Sequence, residues 1–202
     1  SSGTLNIGRF GTNDLGGTIQ APTITGGIGT AAINFNQSDA VTLAANLAGT
    51  GTLRQLGAGT TTLTGSNSSF TGALAVSNGT ARVNSLMRGA TVSVGNASVA
   101  NGSVLMGTGA VGAVTVNSNG MISPGNSVGA LSASNTMTWN AGGSYRWEIT
   151  NATAGAPGTN WDLITVDGGT VGDGQGTLAI GGGFTVNGAA IGGFVFDGSI
   201  NY

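Results

Sequence analysis

The chain has 202 residues, of which 40 are glycine; only 6% are charged, and the formal net charge is −2. Ordinary soluble domains carry about 25% charged residues and about 7% glycine. With no Lys, His or Cys, the sequence excludes Ser-His-Asp and Cys-His catalysis, His/Cys zinc sites, disulfides and lysine Schiff bases.

Other partners are excluded on similar grounds. Five scattered Arg residues do not form the basic cluster that phosphate binding requires, so no nucleic-acid partner is expected. No apolar run reaches the roughly 18–20 residues of a membrane-spanning helix, so the chain is not expected to be transmembrane. Disorder goes with low hydrophobicity and high net charge; here hydrophobic residues are 39%, and an ordered, densely turned chain is expected. The first residue is Ser1 and no signal-peptide pattern follows, which gives the expectation of a processed or excised chain.

In chain order, short runs of aliphatic and β-branched residues are separated by Gly and Asn. Thr4–Ile7, Thr18–Gln20, Thr23–Thr25, Ala31–Phe35 and Val41–Leu43 read as strands, with Asn36-Gln37-Ser38-Asp39 as a turn. From Gly49 to Asn84 the rhythm is densest. Leu53 and Leu56 precede the turn at Gly57–Gly59, Thr61–Thr64 follows, then a Gly-Ser-Asn-Ser-Ser loop, Ala73–Val76, Asn78-Gly79 and Thr80–Val83. Thr91–Val94, Ser103–Met106 and Ala113–Val116 continue it, and Gly107-Thr108-Gly109 repeats Gly49-Thr50-Gly51. In Pro124-Gly125, Pro at the second position of a turn with Gly next favours type II geometry.

Irregular versions of one phrase are the mark of a solenoid, in which each turn is a unit stacked on its neighbour. At about 20–25 residues per turn, the chain would form roughly eight to ten coils, one single solenoid over residues 1–202 with repeat signatures at 49–84 and 107–131. Strands about 4.7–4.9 Å apart would stack these into a rod of about 40–50 Å.

Three phrases resemble the β-strand repeats of autotransporter-type passenger domains. The first is Gly57-Ala58-Gly59-Thr60, Leu63-Thr64-Gly65, Asn67, Gly72 and Gly79-Thr80. The second runs from Gly120-Met121-Ile122-Ser123 through Pro124-Gly125-Asn126-Ser127 to Leu131. The third joins Ser144-Tyr145-Arg146-Trp147-Glu148-Ile149 to Trp161-Asp162-Leu163-Ile164. The resemblance covers roughly Thr4 to Gly168 and weakens past Asp173. It implies an all-β, right-handed parallel β-helix on the surface of a bacterium or secreted from it, anchored through outer-membrane segments that this chain lacks.

An aromatic-rich coil spans residues 139–166, with a loop at 151–160; all three tryptophans fall there. Strand alternation puts Tyr145, Trp147 and Ile149 on one face, with Arg146 and Glu148 on the other. The bland reading is an aromatic core; the functional one makes Tyr145, Trp147 and Trp161 a contact surface for sugar or for a partner chain.

The acids are Asp14, Asp39, Glu148, Asp162, Asp167, Asp173 and Asp197. Glycoside hydrolysis needs only two of them at the right separation, but most sit at turns, where Asp caps its own backbone. Asp167-Gly168-Gly169 and Asp173-Gly174 are out of register for a calcium-binding nonapeptide repeat. No metal, cofactor or catalytic residue is expected. The sequons at Asn36, Asn67, Asn78, Asn96, Asn101 and Asn151 are what an Asn/Ser/Thr-rich chain yields by chance.

The expected function is therefore non-enzymatic: a cell-surface passenger or fibre segment acting in adhesion or in self-association into filaments. Surface glycans, other cells and further copies of the chain are the expected partners. Both ends read as uncapped, since Ser1 leads almost directly into a strand and Phe194-Val195-Phe196 falls near the end. The alternative is a polysaccharide-binding or polysaccharide-cleaving β-helix module. An ice-binding solenoid would need a regular Thr-x-Thr array, which Thr60-Thr61-Thr62 and Thr64 do not continue.

Overall fold

A computed structural model describes residues 3–8, 17–27, 31–99, 102–151 and 154–167, and the backbone alone of 177–180 and 185–190. Among the described residues all regular elements are strands. They are β1 (Thr4–Ile7), β2 (Thr23–Gly26), β3 (Ala32–Phe35), β4 (Ala40–Leu43), β5 (Asn46–Gly49), β6 (Thr52–Gln55), β7 (Thr60–Leu63) and β8 (Ser69–Phe70). Then come β9 (Ala73–Val76), β10 (Gly79–Val83), β11 (Leu86–Met87), β12 (Thr91–Val94), β13 (Ser103–Gly107), β14 (Ala110–Val111) and β15 (Val114–Val116). The last are β16 (Gly120–Pro124), β17 (Ala130–Ser134), β18 (Thr136–Trp139), β19 (Ser144–Ile149), β20 (Leu163–Asp167), β21 (Thr177–Ile180) and β22 (Thr185–Ala190).

The chain winds through three faces. From β3 on, every third strand joins the same parallel sheet: β1-β3-β6-β9-β12-β15-β18-β21 on the first face and β4-β7-β10-β13-β16-β19-β22 on the second. The third face is built from β2-β5-β8 and, separately, β11-β14-β17-β20. This is a parallel β-solenoid, as the repeats predict.

The winding has fewer regular turns than the eight to ten expected. On the first face Ala32 pairs with Thr52, Thr52 with Ala73 and Ala73 with Thr91; Val92 then pairs with Val114 and Val114 with Met137. These are about five regular turns of 18–23 residues. Outside them the spacing stretches, with Thr4 paired to Ala32 and Thr136 to Thr177. The expectation fails because it spread one average turn length over the whole chain, whereas the pairings at the two ends are 28 and 41 residues apart. Thr18–Gln20, expected as a strand, has no strand pairing. Among the strands not expected from the sequence are β5, β8, β11, β14, β18, β21 and β22; of these β8, β11 and β14 are only two residues long and too short to show alternation.

Alternation selects what points inward. In β4 and β12 the residues are exposed and buried in turn. Register then stacks the inward ones: Ile33, Leu53, Leu74, Val92, Val114 and Met137 form one continuous buried row. Phe35, Gln55, Val76, Val94, Val116 and Trp139 form the next. Burying an aliphatic side chain contributes about 1.5–3 kcal/mol, and each row repeats that gain at every turn.

Gln55 interrupts an apolar row and is 1% exposed. It is fully engaged at the corner between the first two faces. The buried Gln37 amide donates to Thr61 Oγ1 at 2.9 Å, and that hydroxyl donates to Gln55 Oε1 at 2.6 Å. Gln55 Nε2 donates in turn to the carbonyls of Gly57 and Gly59, at 2.8 and 3.1 Å. At the same corner Gly79 has φ +61, and a Cβ there would lie 2.4 Å from the Gly57 oxygen. Only glycine allows the coils to close so tightly.

Asparagines pin the next corner. Leu47 N–H donates to the Oδ1 of Asn67 at 2.9 Å, and Asn67 Nδ2 donates to Ser85 Oγ at 2.8 Å. Like residues also stack outside: Asn140 Nδ2 donates to Asn117 Oδ1 at 2.8 Å, and Asn34 to Asn6 at the same distance.

Candidate functional site

The aromatic coil begins where the regular rows end. Alternation in β18 turns Met137 and Trp139 inward, and Trp139 is 4% exposed. On the second face Tyr145 pairs with Ile122, so its ring continues the row below. The Trp139 and Tyr145 rings pack tilted at 58° with centroids 6.3 Å apart, a geometry that favours aromatic pairs by about 0.5–1.5 kcal/mol beyond area burial. Trp139 thus extends the apolar row, with Ile180 of β21 next in register, and Tyr145 is half-buried against the core.

After β19 the chain leaves the parallel pattern. Ile149 and Trp161 form an antiparallel bridge, Asp162 N–H donates to the Glu148 carbonyl at 2.9 Å, and Thr150 N–H to that of Asn160 at 2.7 Å. The result is a hairpin-like excursion from Glu148 to Asp162. Its tip is ordered locally: Asn160 Oδ1 accepts from Ala156 N–H at 2.9 Å. Most of the tip is exposed, including Ala154, Gly155, Ala156 and Pro157.

Asp162 is the fulcrum of this excursion. It is 3% exposed, yet all its polar groups have partners. Its Oδ1 accepts from Gly129 N–H at 2.9 Å and its Oδ2 from Glu148 N–H at 3.0 Å. Its carbonyl accepts from Trp147 Nε1 at 3.1 Å. Burial raises its pKa to about 6, opposed by the two backbone donors and helped by the nearby Glu148 carboxylate. Burial, and secondly the Asp162 charge, also push the Tyr145 phenol above its ordinary value. From sequence Asp162 is expected only within a returning strand with no role of its own; in the fold it binds segments 33 and 14 residues away. The signal was present in the Trp161-Asp162-Leu163 phrase, but only the fold places it beside Gly129.

The three predicted contact residues lie in this one coil, but not on one platform. Tyr145 is committed to the interior with Trp139. Trp147 and Trp161 are half-buried at the base of the excursion, Trp147 tied to Asp162 and Trp161 bridged to Ile149 and Pro157. Gly125, which follows β16 and bridges antiparallel to Gly107, has φ +84, a backbone conformation that favours glycine.

The second candidate surface is the outside of the second face. Register lines up Ala40, Thr60 and Thr80 in one row and Thr42 and Thr62 beside it, all exposed or half-exposed. Further along, the same rows become Arg82 and Met106, then Val104 and Met121.

Among the described residues no three His, Cys, Asp or Glu side chains gather to hold a metal ion, and no helix is long and apolar enough to cross a membrane. Of the other residues weighed from sequence, Asp14, Asp173, Asp197, Asn101 and the segment Phe194–Phe196 lie outside the described residues. Asn67 is buried in its corner bonds. No protein-family model matches the chain, and no curated protein matches it.

Proposed function

We propose that this chain is a non-enzymatic structural segment of a bacterial surface or secreted protein, a passenger or fibre rod that acts by lateral contact. The observation that carries this reading is the Thr-rich outer row of the second face. Thr42, Thr60, Thr62 and Thr80 stand on adjacent parallel strands in register, with Arg82, beside Thr62, the first charge in these rows. Strands about 4.7–4.9 Å apart give such rows a regular array of hydroxyls and methyls. A second copy can match that array with many weak contacts, and few charges oppose its approach. The phrases shared with autotransporter-type passengers support the same reading, with adhesion to other cells or surface glycans as the companion role.

Electron microscopy of the purified chain, with and without Thr62→Lys, tests it. Side-by-side bundles in the parent chain, lost in the variant, are expected; isolated rods in both would overturn lateral self-association. A second reading is polysaccharide binding at Trp147 and Trp161, favoured by their half-exposure at the base of the excursion. Quenching or shift of tryptophan fluorescence on titration with bacterial polysaccharides would separate it from the first.

A further inference from the structure

We propose that Arg82 and the outer residues around it on the second face form a docking site for a carboxylated glycan, a proposal that rests on adhesion to surface glycans and not on self-association. Arg82 stands in one outer row with Thr42, Thr62 and Met106 and is half-buried. A guanidinium carries five donors and no acceptor, yet the chain gives this one little to bind. Its Nη2 donates to the Met106 sulfur at 3.7 Å, and a thioether is a weak acceptor. Its Nε is buried without a partner. The acids nearest in this sheet are Asp39, before β4, and Glu148, on β19, two and three strands away. At ordinary strand spacing that is about 10 and about 14 Å, well beyond the roughly 4 Å of an ion pair. Arg82 therefore keeps its charge on a face of hydroxyls and methyls.

A cation so placed takes its acceptor from outside the chain. A carboxylate is the anion whose two oxygens match the guanidinium fork, and the surroundings suit a sugar that carries one. On one side stand Thr62, on the adjacent strand, and Thr80, two residues along the same strand. Both hydroxyls are half-exposed and can donate to and accept from the hydroxyls of a sugar ring. On the other side Val104 and Met106, in register with Thr80 and Arg82, offer half-exposed apolar surface to the C–H face of that ring. A carboxylate, ring hydroxyls and an apolar ring face occur together in a uronic-acid unit. An acidic protein segment would bring the carboxylate alone and leave the threonine pair unused.

Calorimetric titration of the whole chain with short oligogalacturonides, and with their methyl esters, tests the site. The free acids should bind, and the esters about tenfold or more weakly, because the charge-assisted hydrogen bonds are lost. Raising the salt from about 0.01 to about 0.15 M should weaken the acids alone. Arg82→Gln should reproduce the loss seen with the esters, with an unchanged denaturant midpoint as the check on folding. Arg54→Gln removes an exposed cation on the first face and should leave binding intact. Acids that do not bind, or an equal loss in Arg54→Gln, would overturn the site. Acids and esters that bind alike, with or without Arg82, would keep glycan adhesion and remove Arg82 from it.

Discussion

The regular coils from β3 to β17 and the excursion after β19 are held by opposite kinds of design. In the regular coils every inward position is repeated one turn away: Leu53 has Ile33 below it and Leu74 above it. Stability there is a sum of nearest-neighbour terms, and a lost contact is one of many alike. The excursion has no such repeat. It runs antiparallel to its own strand and depends on one carboxylate, one indole bond and a few backbone bonds. Stacking therefore spreads stability over many like contacts, and what departs from the stack rests on a few unlike ones.

The comparison predicts where damage spreads. The largest effect is expected from Gly79→Val. The residue has φ +61, and any Cβ would lie within 2.5 Å of the carbonyl oxygens of Gly57 and Gly59. Backbone strain and overpacking combine to about 4 kcal/mol or more, read as a fall in the denaturant midpoint of the whole chain. A midpoint within about 0.5 kcal/mol of the parent would mean that the coils shift to accept a side chain there.

Next comes Leu105→Ala, fully buried in β13, which should cost about 3 kcal/mol by leaving a cavity between packed neighbours. Trp147→Ala makes the contrast. It removes a half-buried ring and the bond to Asp162, for about 2 kcal/mol. Hydrogen exchange should place that loss in residues 148–162, leaving the amides of β13 protected. Equal loosening of both regions would erase the distinction between stack and excursion.

How much of this was legible from residues alone follows the same division. Four-residue strands with clean alternation, such as Ala73–Val76 and Thr91–Val94, declared themselves because the period of two survives over their length. The parallel stacking was carried by repeated phrases. What stayed hidden depends on pairing across coils. Two-residue strands such as Leu86–Met87 exist only because Ala110–Val111 lies beside them. Gln37 sat in an evident turn, but its burial against Thr61 is a consequence of the next coil's position. The inward face of Tyr145 was readable from alternation, while the role of Asp162 needed Gly129 brought to it across 33 residues.

The smallest effect belongs to the amide corner, and it asks whether the regular coils tolerate a polar flaw. Thr61→Val preserves shape but removes both the acceptor of the Gln37 amide and the donor to Gln55 Oε1. Gln55 keeps its two bonds to the Gly57 and Gly59 carbonyls, so only part of the network is stranded. Leaving buried polar groups without partners costs about 1–2 kcal/mol here, measurable by urea unfolding. Adding Gln55→Leu to Thr61→Val removes the stranded acceptor, leaving the Gln37 donor, and extends the apolar row of Phe35 and Val76. That leucine also strips the Gly57 and Gly59 carbonyls of their side-chain donor. If the interior values apolar continuity most, the double variant recovers stability relative to Thr61→Val. If the two glycine carbonyls need their donor, it loses more, and the corner acts as a polar clamp on the turn that Gly79 completes.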